Sequence, residues 1–223
     1  MSIIKELEQL SASLEGTLLY DDLHKTLYST DASVYRIKPN AVAIPKTIED
    51  IAKLIKFAGQ HQMSITPRTA GTSLAGQAVG DGLVVDVSKH FTKIISYNAE
   101  KKTVTVEPGV IRDELNLFLK PHGVFFAPIT STSNRAMIGG MVGNNSSGTT
   151  SIRYGVTRDK IAEVKALLSD GSEVVFQDLT SAEFIEKTKG DTLENKIYKS
   201  IYDELSVKET QEEIIKEFPK PEI

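Results

Sequence analysis

Ile48, Ile51, Ala52, Ile55 and Ala58 recur at helical spacing, which predicts a helix opening at Thr47 with one apolar face. Thr47 can cap it, Glu49 and Asp50 suit its positive end, and Gly59 is placed to end or loosen it. A short apolar strand at Met63–Thr66 follows, then a loop of small residues, then a strand at Leu83–Val87. This order predicts a compact α/β unit whose strands are buried. Upstream, Ile3, Leu7 and Leu10 mark an amphipathic helix that packs on something. After Lys89 the pattern turns to hairpins. Ile94–Tyr97 and Thr103–Glu107 flank a polar turn over 98–102, with Val104 and Val106 on one face, and Pro108-Gly109 stops the second strand. Leu115, Phe118 and Leu119 predict a helix within 111–120, with Gly123 just beyond it. Glu163–Leu168 and Glu173–Phe176 form a second hairpin around Asp170-Gly171, a strong short-range turn signal. The chain from residue 179 reads as helical and charged, and Pro219 and Pro221 end it in a tail that should fray.

Composition narrows the function classes. The 223 residues are 40% apolar and 25% charged, the balance of an ordinary globular protein. A formal charge of −4 argues against a nucleic-acid binder. The absence of cysteine excludes disulfides, thiolate catalysis and cysteine-ligated metal or iron–sulfur sites within these residues. His24, His61, His90 and His122 are scattered, so no metal site is expected. No run has the length of a membrane span, and the N-terminus lacks the apolar core of a signal peptide.

Two small-residue segments carry the candidate chemistry, Pro67–Gln77 and Ile138–Gly148. Such loops let backbone N–H groups converge on an anion, and a pair of them suits a large two-ended ligand such as a dinucleotide. Gly-x-x-x-x-Gly-Lys-Ser/Thr and Gly-x-Gly-x-x-Gly are both missing, so neither a P-loop nor a Rossmann site is supported. What remains is a cradle of backbone amides without a dedicated lysine.

Thr30–Tyr35, Ala43-Ile-Pro45, Pro67–Thr72, Val106–Gly109, Phe125–Arg135, Ile138–Gly148, Arg153-Tyr-Gly155 and Leu168–Gly171 resemble, in order, the flavin-binding domain of FAD-linked 2-hydroxy acid dehydrogenases. That family includes the glycolate oxidase flavin subunit and D-lactate and D-2-hydroxyglutarate dehydrogenases. The resemblance implies an α+β, two-subdomain FAD-binding domain of PCMH/vanillyl-alcohol-oxidase type, with the substrate domain absent. The expected organisation is an N-terminal helical segment at 1–38, FAD subdomains at 39–90 and 91–178, and a helical C-terminal segment at 179–223. The pyrophosphate is expected on the backbone of Arg68, Thr69, Ala70, Gly71, Thr72 and Ser73. Pro108 and Gly109 match an adenosine-side turn. Ser131, Gly139, Gly140, Gly143, Asn144, Ser147 and Gly148 match the second loop along flavin and phosphates, and Ile161 and Val164 lie near the adenine end. For Gly139–Gly143 close helix packing is the alternative, and for Ile161 and Val164 a place in the core. Covalent relatives use a first-loop histidine where Thr72 stands, so a non-covalent, dissociable FAD is expected.

The implied reaction is oxidation of a small D-2-hydroxy acid (glycolate, D-lactate or D-2-hydroxyglutarate class) by hydride transfer to FAD, with an unspecified electron acceptor. The family's catalytic groups come mostly from a substrate domain further along, so no catalytic residue is assigned here, and any iron–sulfur cluster belongs to a downstream region. For Arg68 and Arg153 a structural ion pair is the safer reading than a ligand contact. The fragment is expected to hold FAD weakly and not to turn over. The expected location is cytoplasmic, with peripheral attachment to the inner membrane open for the complete protein. Alternatives are a non-catalytic FAD-binding or electron-transfer subunit, a same-fold reductase of cell-wall sugar synthesis and, least well supported, a kinase-like phosphate binder.

Overall fold

The computed structural model describes residues 3–218, which divide into two compact units between Ala162 and Glu163. The first begins with α1 (Ile3–Ser13), β1 (Thr17–Leu19), α2 (Asp22–Leu27), β2 (Ala41–Ile44), α3 (Ile48–Gln60), β3 (Ile65–Arg68) and β4 (Leu83–Asp86). Its four strands form one sheet in the order β1-β2-β4-β3, with β2, β4 and β3 parallel and β1 antiparallel to β2. Leu7, Leu10, Leu18, Leu54, Phe57 and Leu83 belong to its core, so α1 packs on this sheet and α3.

Two sequence expectations shift here. The helix runs through Gly59 to Gln60, and the left-handed residue is Gln62, with φ 52°. Met63 N then donates to Ala58 O at 2.9 Å, so Met63 is used in closing the helix and β3 starts at Ile65. β3 is also not buried as expected, because it is the sheet edge; there Pro67 costs no ladder bond. Only β4 is buried along its whole length.

The rest of the first unit is β5 (Ile94–Asn98), β6 (Thr103–Val106), α4 (Arg112–Leu119), α5 (Ile138–Gly143) and α6 (Ser151–Tyr154). β5 and β6 form the expected antiparallel hairpin, and Val104 and Val106 pack together on a second core of Val110, Leu115, Leu119, Ile138 and Met141. Arg112, nearly buried on α4, donates to Pro128 O at 3.0 Å and Phe126 O at 3.2 Å. The Asn116 side chain bonds both backbone groups of Phe126, so α4 fixes the path of the 126–128 segment.

The second unit holds the hairpin β7 (Glu163–Leu167) and β8 (Glu173–Gln177), then α7 (Ser181–Lys187), α8 (Leu193–Leu205) and α9 (Lys208–Glu217). Gly171 takes φ 84° in the turn, as the Asp-Gly pair requires. Thr180 with Glu183 and Thr192 with Asn195 form capping boxes, and Tyr198 is buried beside Phe176 and Phe184. Pro219 and Pro221 lie outside the described residues. No helix among the described residues is long and apolar enough to cross a membrane.

Asp50 ties α1 to the sheet. It is 0% exposed and accepts from Glu15 N, Gly16 N and Lys46 N, each at 2.9 Å. Burial pushes its pKa up, but these backbone bonds outweigh it and hold the carboxyl below the usual carboxylate range. A depressed folded pKa contributes stability above the unfolded pKa of about 3.9 that is lost as pH falls through the folded value. Asp50→Asn is expected to lower unfolding stability by about 2–4 kcal/mol in urea at pH 7, and its deficit should shrink below about pH 4. A pH-independent deficit would show that the charge is not what the amides hold.

Candidate functional site: two loops that share a cleft

The first loop leaves the end of β3, and the second runs through α5. Main-chain bonds between 108–112 and 136–139 anchor the start of the second. Gly139 N donates to Pro108 O at 2.8 Å, Ile138 N to Val110 O at 2.9 Å, and Arg112 N to Ala136 O at 2.9 Å. Gly109 N is bonded to Phe91 O at 2.7 Å. The two loops approach closely, since a methyl at Gly140 would lie 2.6 Å from Thr69 Oγ1. Gln77 Nε2 donates to Asn144 Oδ1 at 2.9 Å, so the loops also share a hydrogen bond.

Main-chain donors need acceptors, and those of the first loop largely lack them. Among the described residues, the amides of Thr69, Ala70, Gly71, Thr72 and Ser73 have no intramolecular acceptor. The Ser73 hydroxyl is committed to its own turn: it accepts from Ala75 N and Gln77 N, both at 3.2 Å, and donates to Gln77 Oε1 at 2.8 Å. Gly71 has φ 65°, which turns the chain back over the Arg68 side chain. A run of amides without partners, lined by small residues, fits a bound anion.

The remaining expected site residues divide by role. Gly140, Gly143, Asn144 and Ser147 are exposed, and a methyl at Gly143 would meet open space. Gly139 and Gly148 are packing positions. A methyl on the first would overlap Pro108, and one on the second the Ile129 carbonyl oxygen. Gly148 N is already taken by Ser151 Oγ at 3.0 Å. Ser131 sits exposed in the 130–135 turn, and no hydrogen bond ties it to either loop among the described residues. Ile161 closes a turn through its bond to Arg158 O. Val164 lies in the second unit, opposite Phe176 on the hairpin.

One correction to the sequence reading concerns side chains. Neither Arg68 nor Arg153 is in an ion pair among the described residues. Arg68 Nη1 donates to Thr30 O and Ala78 O, and the Arg153 guanidinium lies 5.3 Å from the Tyr154 ring centroid. Thr157 is 0% exposed and bonds Ser146 O through both Oγ1 (2.6 Å) and N (3.1 Å). Asp31, Gln77 and Asp86 also support the loops without having been singled out. Burial opposes ionisation of Asp31, but bonds from Ser33 and Ala78 and the nearby Arg68 hold its carboxyl below the usual range.

Two concavities of the first unit lie elsewhere. One is lined by Asp113, Asn116, Leu117, Lys120, Val124 and Phe125, and the other lies between α1 and α3. The carboxylate and amide of the first are already bonded to Arg112, Ser133 and Phe126. The first loop, by contrast, offers uncommitted donors.

Residues 39–177 match the model of a family described as FAD binding domain, and the chain belongs to that family. It is 39% identical over 223 residues to D-2-hydroxyglutarate dehydrogenase of Escherichia coli, covering 99% of this chain and 22% of the relative. It is 31% identical over 173 residues to glycolate oxidase subunit GlcD of Bacillus subtilis, covering 76% of this chain and 37% of that protein. The chain thus spans about a fifth of the length of the first of these curated relatives. A solved alkyldihydroxyacetonephosphate synthase superposes with a TM-score of 0.68 at 17% identity, over 87% of this chain and 37% of that one. The fold is the α+β FAD-binding domain of the PCMH/vanillyl-alcohol-oxidase type.

Gly148→Ala is expected to cost about 1–3 kcal/mol of stability by thermal or urea unfolding, because the Ile129 carbonyl must move. Gly143→Ala is expected to be neutral or slightly stabilising, since its methyl meets nothing and alanine favours the helix. Equal effects at the two sites would contradict this division into packing and open positions.

Proposed function

We propose that the first unit binds FAD with its diphosphate against the Thr69–Ser73 amides, as the flavin-binding portion of an oxidoreductase acting on a small D-2-hydroxy acid. The carrying observation is the meeting of two small-residue loops, joined by the Gln77–Asn144 bond, around main-chain donors that have no internal partner. The names of the relatives support a substrate of the D-2-hydroxyglutarate, glycolate or D-lactate class. When bound, FAD supplies the acceptor for the hydride removed from the hydroxyl-bearing carbon.

The chain's own residues bind and orient. The first-loop amides offset the diphosphate charge, each contact contributing about 1.5–3 kcal/mol before ordering costs. Gly140, Gly143, Asn144 and Ser147 form the facing wall, while Gly139 and Gly148 let that wall sit close. Pro108 and Gly109 turn the chain on the adenosine side. Residues 39–90 and 91–178 are the two FAD subdomains in this reading, with Ser131 and Ile161 at the ends of the first unit's site and Val164, on the hairpin of the second unit, left out of it. Thr72 stands where covalent relatives carry histidine, and the loop has neither histidine nor cysteine, so the cofactor is dissociable. The catalytic base, the carboxylate clamp and any iron–sulfur cluster belong to parts of the whole protein beyond these residues.

Flavin absorbance and fluorescence of the purified chain, titrated with FAD, test the reading. Saturable binding is expected, with all flavin released into the supernatant on acid precipitation. No binding contradicts the cofactor assignment, and flavin retained in the pellet contradicts the non-covalent one. Gly143→Ala is expected to weaken FAD binding about tenfold without loss of fold, and parental affinity would remove the second loop from the contact surface.

A further inference from the structure

Arg68 is the one large side chain at the base of the first loop, and its contacts all point beneath that loop. Its Nη1 donates to Thr30 O at 2.8 Å and to Ala78 O at 3.1 Å. Residues 68 and 78 are the two ends of the loop, so one guanidinium ties them together. The guanidinium carbon lies 5.3 Å from the centre of the Tyr28 ring, a cation–π distance. A methyl at Gly71 would come within 2.5 Å of Nη2, so the backbone carrying the amides rests directly on the cation.

The surroundings hold the cation in place without a direct partner. Arg68 and Asp86 are register partners on β3 and β4, yet they form no ion pair. Asp86, 3% exposed, instead accepts from Tyr28 Oη at 2.6 Å and Ser88 N at 2.8 Å. Burial and the Asp86 carboxylate both push the Tyr28 phenol up, so it stays a neutral donor and ring platform. Asp31, the other nearby carboxylate, is bonded to the amides of Ser33 and Ala78. Among the described residues, the guanidinium therefore stands under the cradle with its charge unpaired by any carboxylate contact.

We infer that Arg68 is a positioning residue for anion binding: it joins the two ends of the loop and sets a positive charge beneath the Thr69–Ser73 amides, without touching the diphosphate. This rests on the FAD reading above. The planar fork matters as well as the charge, since two carbonyls and a ring are engaged at once.

The test is FAD titration of the protein and of Arg68→Met, Arg68→Lys and Gly71→Ala at several salt concentrations, with melting curves recorded without FAD. Arg68→Met is expected to raise the Kd at least about tenfold and to flatten its salt dependence. Arg68→Lys should keep the salt dependence but lose affinity about threefold or more, because the fork is gone. Gly71→Ala should follow Arg68→Met, since the methyl displaces the guanidinium. An Arg68→Met protein that binds within about twofold of the parent overturns the inference, as does weakened binding with unchanged salt dependence, which marks a loosened fold alone. If Arg68→Met fails to fold, parental affinity in Arg68→Lys overturns it instead. A parent chain that binds no FAD overturns the cofactor reading itself and this inference with it, a result recognised before any variant is made.

Discussion

A buried or half-buried amide needs an acceptor, and the Thr69–Ser73 segment of this protein presents a run of them with none of its own. That constraint organises the first unit. The parallel sheet launches the loop from an edge strand, where the chain can leave without breaking the ladder, while the fully buried β4 beside it fixes the point of departure. Arg68, Tyr28 and Asp86 then hold the loop from below, and α5 closes on it from the far side.

The second half of the unit acts as a buttress for that facing loop. Arg112 and Asn116 hold 126–128, and Gly148 packs against the neighbouring Ile129 carbonyl. Thr157 pins Ser146 from within, and Asn145 accepts from Arg158 N at 3.0 Å. The segment around Thr157 thus acts on the site through the loop it supports. Its polar side chains are spent on backbone groups, which is what a loop without regular structure requires if it is to keep one shape.

The periodic parts of the fold were legible in the sequence. The Thr47 cap, the helix α3 and both hairpins follow from local spacing and turn chemistry, and the structure keeps them. But α3 buries Leu54, Phe57 and Ala58 and leaves Ile48 exposed, so its buried face is not the Ile48–Ile51–Ile55 face the spacing predicts. What failed was set by contacts that a period of apolar residues does not show. Met63 reads as strand because it is apolar, but it is used in closing α3. β3 reads as buried, but strand order places it at the edge. The two small-residue loops were visible as composition, and the family to which they belong followed from their order. Their separate duties were not visible. Gly143 and Gly148 are the same residue five positions apart, and only tertiary structure shows that one faces open space and the other a carbonyl oxygen. Arg68 likewise reads as a candidate ligand or ion-pair member, whereas its partners are carbonyls from residues 30 and 78 and a tyrosine ring.

The proposal that both loops face one FAD diphosphate is most directly tested by residue-resolved amide hydrogen exchange with and without FAD. The amides of 69–73 should slow on binding, together with those around Gly140 in the facing loop. Protection confined to one loop, or appearing only elsewhere in the chain, would contradict a shared cradle.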